Sequence, residues 1–340
     1  MNEATTATDT SSANEFKPVI AIHGGAGAMS RQAMSAEKER EYLSALERIL
    51  TAGQGVLAAG GTALDAVTEA VRLLEDCPLF NAGHGAVFTS AATHELDASI
   101  MDGATLRSGA IANVDCVRNP VLAARKVMEN SKHVFFVGAG AQDFAREQGL
   151  EIVDPSYFST DARREQLERV QREHPDAAVL DHDAQAMVAR GQPAPADPLD
   201  SDRKFGTVGA VAVDAQGNLA AATSTGGITN KQIGRVGDAP LIGAGCYASN
   251  QTCAVSTTGT GEMFIRMVAA YDVAAQMEYM GASLAEAADR VVHEKLPRIE
   301  GKGGLIAVDA KGNVALPFNT EGMYRGYARV GESPVASIYR

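Results

Sequence analysis

The chain has 340 residues, room for one large domain or two, and its 45% hydrophobic and 21% charged residues are the balance of an ordinary globular protein. A formal net charge of -12 with no basic patch to offset it argues against a nucleic-acid partner. No apolar stretch is long enough to span a membrane, and Cys77, Cys116, Cys246 and Cys253 lie far apart without a C-x-x-C pair, so the expectation is a reduced cytoplasmic protein with neither disulfides nor a zinc site.

Residues 1–16 are polar and rich in Ser and Thr, the composition of a disordered tail. Val19 to Ile22 reads as a short buried strand running into His23-Gly24-Gly25-Ala26-Gly27. These glycines suit close backbone passage near a centre better than a phosphate cradle, which would want a Lys or a turn opening onto a helix. Helical periodicity covers Ala36 to Leu57 and then Thr62 to Leu74, with Thr62 placed to cap and Asp65 in the first turn. Pro78 to Gly85 breaks the pattern as a structured loop. His94 to Gly103 alternates like a strand, and its His94, Asp97 and Asp102 are spaced too irregularly for a metal site, which leaves turn and surface roles. Ser108 to Val114 is another strand, Val121 to Glu129 a helix behind Pro120, Val134 to Val137 a strand of the buried type, and Ala139 to Gln148 the helix after it.

Beyond Pro155 the character changes. Ala162 to Glu173 is a charged helix, and Gly191 to Pro198 cannot hold regular structure, so a mobile linker is expected over about 156–206. It ends at Gly206-Thr207, where two apolar runs flank Asp214-Ala215-Gln216-Gly217. With Gly217 taking the positive φ of a three-residue hairpin loop, Asp214 faces Asn218 and the register sets Thr207 opposite Thr225. Two hydroxyls at the start of a buried strand pair, just after a linker, suggest that the bond between Gly206 and Thr207 is cut.

The loop after this hairpin carries Arg235 and Asp238, which are either a surface ion pair or a clamp for a zwitterion, Arg for a carboxylate and Asp for an ammonium. Cys253 to Ser256 is a strand leading through Thr257-Thr258-Gly259-Thr260-Gly261 into a long apolar helix, Met263 to Met280, whose free N-terminal amides and preceding Thr and Gly could hold an oxyanion. Met263, Met267, Met277 and Met280 read as core filler. Ser283 to Leu296 opens with a capping box of Ser283 and Glu286, and Gly304 to Ala315 repeats the plan of the first hairpin. Strands grouped in hairpins between helices describe a layered α+β fold rather than a doubly wound one, and no nucleophile elbow is present. An N-terminal nucleophile fits this chemistry, because a freed Thr207 α-amine, with a reference pKa of about 7.7–8.0, can take the proton of its own hydroxyl without a histidine.

His23-Gly24-Gly25-Ala26-Gly27, Gly206-Thr207-Val208-Gly209-Ala210-Val211, Thr223-Ser224-Thr225-Gly226-Gly227, Gly234-Arg235-Val236-Gly237-Asp238 and Thr258-Gly259-Thr260-Gly261 occur in the order seen in bacterial isoaspartyl peptidases and plant-type L-asparaginases. Over roughly Lys17 to Tyr339 the chain resembles that family of N-terminal nucleophile hydrolases. The resemblance implies a four-layer αββα sandwich, autocleaved into a large subunit, 17–206, and a small one, 207–340, that stay in one domain and pair into a heterotetramer. It implies Thr207 as nucleophile with its amine as base, Thr225 supporting both, and Thr258 and Gly259 as oxyanion hole. Arg235 and Asp238 would clamp the substrate with help from Gly261, and Asn81 would lie close by. It further implies a structural sodium ion on the carbonyls of Leu74, Glu75, Cys77, Phe80, Ala82 and His84, no organic cofactor, and L-asparagine or short β-aspartyl peptides as substrates. A glycosylasparaginase, or a poorly processed member of the same family, is the alternative.

Overall fold

The computed structural model describes residues 16–27, 29, 31, 34–173 and 204–340. The expected tail before Phe16 and the stretch Gly191 to Pro198 lie outside the described residues.

Alternation in the strands builds the fold. The larger sheet runs β13(Val335–Tyr339), β12(Gly322–Arg329), β1(Val19–Gly27), β6(Val208–Val213), β7(Leu219–Thr225), β2(Leu96–Asp102), β3(Ser108–Val114), β4(Phe135–Val137), with the short β5(Lys204–Phe205) also on β1. Among the described strands of this sheet, only β3 and β4 pair in parallel. The smaller sheet is β11(Val314–Ala315), β10(Gly303–Asp309), β9(Cys253–Gly259), β8(Cys246–Ala248). One face of the larger sheet, with Ile20, Ile22, Ile100, Val208 and Ala210, packs on α1(Ala36–Ala58), α2(Ala63–Glu75) and α3(Pro120–Asn130). Its other face, with Val19, Ala21, Val211 and Leu219, meets Ala254, Ile306 and Val308 of the smaller sheet. The outer face of that sheet, with Val255 and Leu305, is covered by α7(Ala269–Met280) and α8(Leu284–Asp289). Helix, sheet, sheet and helix are thus four layers with three apolar seams, the αββα sandwich.

The two hairpins share one turn. Asp214 accepts from the amides of Gln216 and Asn218, and Asp309 from those of Lys311 and Asn313, while Gly217 (φ 78°) and Gly312 (φ 76°) supply the left-handed residue. The β6–β7 register puts Val208 against Ser224, as the sequence predicts. Asp214 also accepts from the amide of Ala63, which fastens the hairpin to the start of α2, and Thr62 caps that helix through Asp65.

Several elements differ from expectation. β1 continues through the glycines to Gly27, because that stretch is held by Met323 and Gly322 on one side and by β5 on the other. Val134 to Val137 is not buried: β4 is the last strand of its sheet, and Val137 is 58% exposed. The apolar run over 263–280 is two helices, α6(Gly261–Met267) and α7, parted at Val268 in left-handed conformation (φ 48°), where the carbonyls of Ala244 and Gly243 take the amides of Ala270 and Tyr271. Met263, Met267 and Met277 pack against the outer seam, whereas Met280 is 66% exposed at the end of α7. Residues 156–173, assigned to the mobile linker, are part of the fold: Phe158 is buried, and in α5(Asp161–Glu173) the buried Arg163 donates Nε to the Gly85 carbonyl at 2.8 Å. α4(Gly138–Glu147) follows β4, and Phe144 stacks on Phe136.

Gly109 of β3 tests the helix-on-sheet seam, since a Cβ there would strike the Ala124 carbonyl and the Met128 amide of α3. Gly109→Ala should lower unfolding free energy by about 1–3 kcal/mol, read as a shifted urea midpoint at unchanged slope.

Candidate active site

The alternation that buries apolar side chains between the sheets also makes the site. In β6, Val211 and Val213 face the inter-sheet seam, so Thr207 and Gly209 look the same way; in β7 it is Thr223 and Thr225 that follow Leu219 and Ala221. His23 follows Val19 and Ala21 in β1, and Ser256 and Thr258 follow Ala254 in β9. Four strands therefore change from apolar to hydroxyl or imidazole side chains towards one end of the sandwich. Thr207, Thr225 and Thr258 are all buried there.

Thr207 donates its hydroxyl to Thr225 Oγ1 at 3.3 Å, and the Gly227 amide donates to the same oxygen at 3.0 Å. Thr225 Oγ1 thus accepts twice and keeps its own proton to give. Asn81 organises the turn beyond: it accepts from the Val87 amide, donates Nδ2 to the Gly227 carbonyl at 2.7 Å, and takes the Gly226 amide on its main-chain carbonyl. Its side chain also fills the space beside Gly206, so any Cβ at 206 would collide with it. A cavity of about 10 Å³ is lined by Gly206, Thr207, Thr225, Arg235, Asp238 and Gly259, which brings four separate segments of the chain to one point.

Asp238 is buried, accepts from the Thr257 hydroxyl at 2.7 Å, and is pushed up to about 6 by desolvation, which that hydroxyl and then Arg235 only partly offset. A Cβ at Gly261 would stand 3.0 Å from both Arg235 Nη2 and Asp238 Oδ1, so the two charges flank that bare backbone position. Of the two readings left open for them, a plain surface ion pair is excluded, since Arg235 instead binds Glu262 through Nε and Nη2 at 2.9 and 3.0 Å. Thr258 Oγ1 is buried with no hydrogen-bond partner among the described residues, and an unpaired hydroxyl is costly unless something comes to meet it.

The loop of Leu74, Glu75, Cys77, Phe80, Ala82 and His84 lies directly behind Asn81. Gly83 (φ 54°) and Gly85 (φ 101°) double it back, and the Glu75 carbonyl accepts from the His84 amide at 2.7 Å. The His84 ring is turned out of the loop to the Tyr157 carbonyl, 2.7 Å from Nδ1. The Glu75 carboxyl points instead at the start of α3, accepting from the Val121 amide, and burial pushes it up to about 8.

Two features escaped the sequence reading. Glu262 was passed over beside Gly261, although a carboxylate next to a bare glycine was a usable signal. Lys231, fully buried, donates to the Glu95 carbonyl at 2.9 Å and packs its ammonium against Gly227. Nothing in a glycine-rich loop announced that. His94 and Asp97 do not have the surface roles expected: both are buried, His94 against Phe88 and Phe158 between the Val87 carbonyl and Ser159, and Asp97 accepting from the Asn113 amide with Lys231 and Arg235 near it.

A sandwich of this build, with a threonine as the first inward residue of a central strand, has the form of an N-terminal nucleophile hydrolase. Residues 16–337 match the family described as Asparaginase. The chain is 61% identical over 324 residues to an isoaspartyl peptidase of Escherichia coli, covering 95% of this chain and 97% of that one, and 61% identical over 324 residues to an isoaspartyl peptidase of Salmonella typhimurium, covering 95% and 99%. A human isoaspartyl peptidase/L-asparaginase is 40% identical over 318 residues, 93% of this chain and 95% of its own. The chain belongs to the isoaspartyl peptidase/L-asparaginase family.

Burying the Asp238 charge has a measurable cost. Its carboxyl binds a proton more tightly folded than unfolded, so the penalty is complete above about 6 and absent below the unfolded value near 3.8. Asp238→Asn should therefore raise stability by on the order of 2–3 kcal/mol at pH 8 and by almost nothing at pH 4, as melting curves at the two pH values would report.

Proposed function

We propose that this protein is an autoprocessing threonine hydrolase acting on β-aspartyl dipeptides and L-asparagine. The observation that carries it is the meeting of Thr207 and Thr225 at 3.3 Å in a cavity that Arg235 and Asp238 also line.

In the precursor, Thr207 Oγ1 attacks the Gly206 carbonyl carbon, the Gly206–Thr207 C–N bond breaks to leave an ester, and water hydrolyses it to a Gly206 carboxylate and a free Thr207 amine. Residues 17–206 then form the large subunit and 207–340 the small one. In the mature site the amine takes the hydroxyl proton as Oγ1 attacks the side-chain carbonyl of the aspartyl unit. The Thr258 hydroxyl and the Gly259 amide receive the oxyanion, which gives the unpaired Thr258 Oγ1 its partner. Collapse expels ammonia or an amino acid, protonated by the Thr207 ammonium, and water then releases aspartate from the acyl-enzyme. Arg235 binds the α-carboxylate and Asp238 the α-ammonium, with the Gly261 backbone between them; Glu262 holds the guanidinium in plane. An ordinary α-peptide ties up the α-carboxyl of the reacting unit in its peptide bond, and inside a chain the α-amine too, so it is a poor substrate.

The same reading pairs two processed chains into a heterotetramer and gives the loop behind Asn81 a sodium ion. That loop suits a hard cation in one respect: a Cβ at Gly85 would lie 2.6 Å from the Pro78 carbonyl and 2.9 Å from that of Phe80, so carbonyl oxygens converge there while the His84 ring faces away. Transfer from sodium to tetramethylammonium buffer should lower the melting temperature, and an unchanged melt would remove the ion from the proposal.

Intact mass decides the central step. Wild type should give two fragments, the smaller beginning at Thr207, and Thr207→Ala a single 35.5 kDa chain with no hydrolysis; normal cutting of the variant would sink the assignment. Arg235→Ala should lower kcat/KM for a β-aspartyl dipeptide by about 10- to 100-fold, the scale of a charge-assisted pair, with little change in melting.

A further inference from the structure

The His23 imidazole is fully buried yet has no part in the chemistry above. Its Nε2 lies 2.9 Å from Ser256 Oγ, and Ser256 Oγ lies 2.7 Å from Thr223 Oγ1, which donates to the Gly245 carbonyl at 3.0 Å. With the Thr223 proton on Gly245, a count of protons sets the remaining directions in this chain. Thr223 has one hydroxyl proton, given to Gly245, so it must accept from Ser256. Ser256 then has none left for the ring and must accept from it. His23 therefore carries its proton on Nε2, and Nδ1 is a bare lone pair, in keeping with its having no hydrogen-bond partner among the described residues.

The group beside Nδ1 is the Thr207 main chain, whose carbonyl can accept from the ring only when Nδ1 carries a proton, as in the other tautomer or the charged ring. Burial opposes that charge and lowers the imidazole to about 3. The surroundings enforce the fit: His23 pairs with Gly209, and a Cβ at 209 would strike Ser256 Oγ and stand 2.5 Å from His23 Nε2. The imidazole thus crosses from the first strand to the smaller sheet in the one gap that Gly209 leaves, two residues from Thr207.

We propose that His23 is a positioning residue for Thr207: locked as the Nε2–H tautomer by Ser256 and Thr223, it keeps a non-donating ring face against the Thr207 main chain and fixes the separation of the two sheets at the nucleophile. This rests on Thr207 being the nucleophile. A ring free to put its proton on Nδ1 would hydrogen-bond the Thr207 carbonyl and draw the residue off Thr225.

The test compares His23→Gln, whose amide can reach Ser256 as Nε2 does, with His23→Asn, whose shorter side chain cannot, in the full chain, with Ser256→Ala as a third variant that keeps the ring but frees its tautomer. Autocleavage is followed by intact mass, and kcat and KM by a β-aspartyl dipeptide assay. His23→Gln should stay within about 5-fold of wild type in both rates, while His23→Asn and Ser256→Ala lose about 30-fold or more in kcat and in cleavage rate with KM moved less than about 3-fold. Equal rates for Gln and Asn, a loss confined to KM, or an unaffected Ser256→Ala would overturn the proposal. If His23→Asn does not fold, Ser256→Ala decides alone. Thr207→Ala, assayed alongside, separates the two readings: a dead Thr207→Ala beside unaffected His23 and Ser256 variants removes only the role of His23, and an active one removes the nucleophile.

Discussion

Everything in this molecule depends on the pairing of two strands across one three-residue turn. Asp214 gathers the amides of Gln216 and Asn218, Gly217 turns the chain, and from there each residue of β6 has its partner in β7. A slip of one residue would send Thr207 into the seam beneath the helices and Val208 into the site. Because Asp214 also holds the first turn of α2, the register is tied to a helix as well as to its own hairpin. A short polar turn at one end of the sandwich thus sets which atoms meet at the other end.

The seam between the sheets has two characters. Along most of its length it is Val, Ala, Leu and Ile, whose burial drives the sheets together. At the end where Thr207, Thr225, Ser256, Thr258 and His23 converge it is polar, and most of those groups satisfy one another. Thr258 Oγ1 and His23 Nδ1 find no partner among the described residues. Unpaired polar atoms beside the nucleophile, at the end of an apolar seam, are where folding has yielded to another demand. Asp238 fits the same description, since its charge is buried against a single hydroxyl with Arg235 engaged elsewhere by Glu262.

The sequence made local decisions legible and distant ones less so. The facing of Thr207 and Thr225 could be read because turn chemistry fixes strand register from within a dozen residues. Arg235 and Asp238 were visible as a pair, but Glu262 follows Arg235 by 27 residues and reaches it only because β9 returns the chain to the same point. The break at Val268 is invisible to periodicity, since apolar residues recur on both sides; the carbonyls of Gly243 and Ala244 impose it from another segment. Apolar Val134 to Val137 gave its conformation correctly and its exposure wrongly, because composition does not say how many neighbours a strand will have. His94 and Asp97 show the converse, polar residues buried by elements that arrive from elsewhere in the chain.

Gly206 carries a consequence of its own. It lies against the Asn81 side chain with no room for a Cβ, and Asn81 is held by Val87, Gly226 and Gly227. The identity of the residue before Thr207 is thus dictated by how the folded chain packs around it. If the chain is cut there, the choice of bond is a property of tertiary structure and is made once per molecule, after folding is complete. Unfolded copies would be spared, and the appearance of the new amino terminus would serve as a record that a chain has reached its native state.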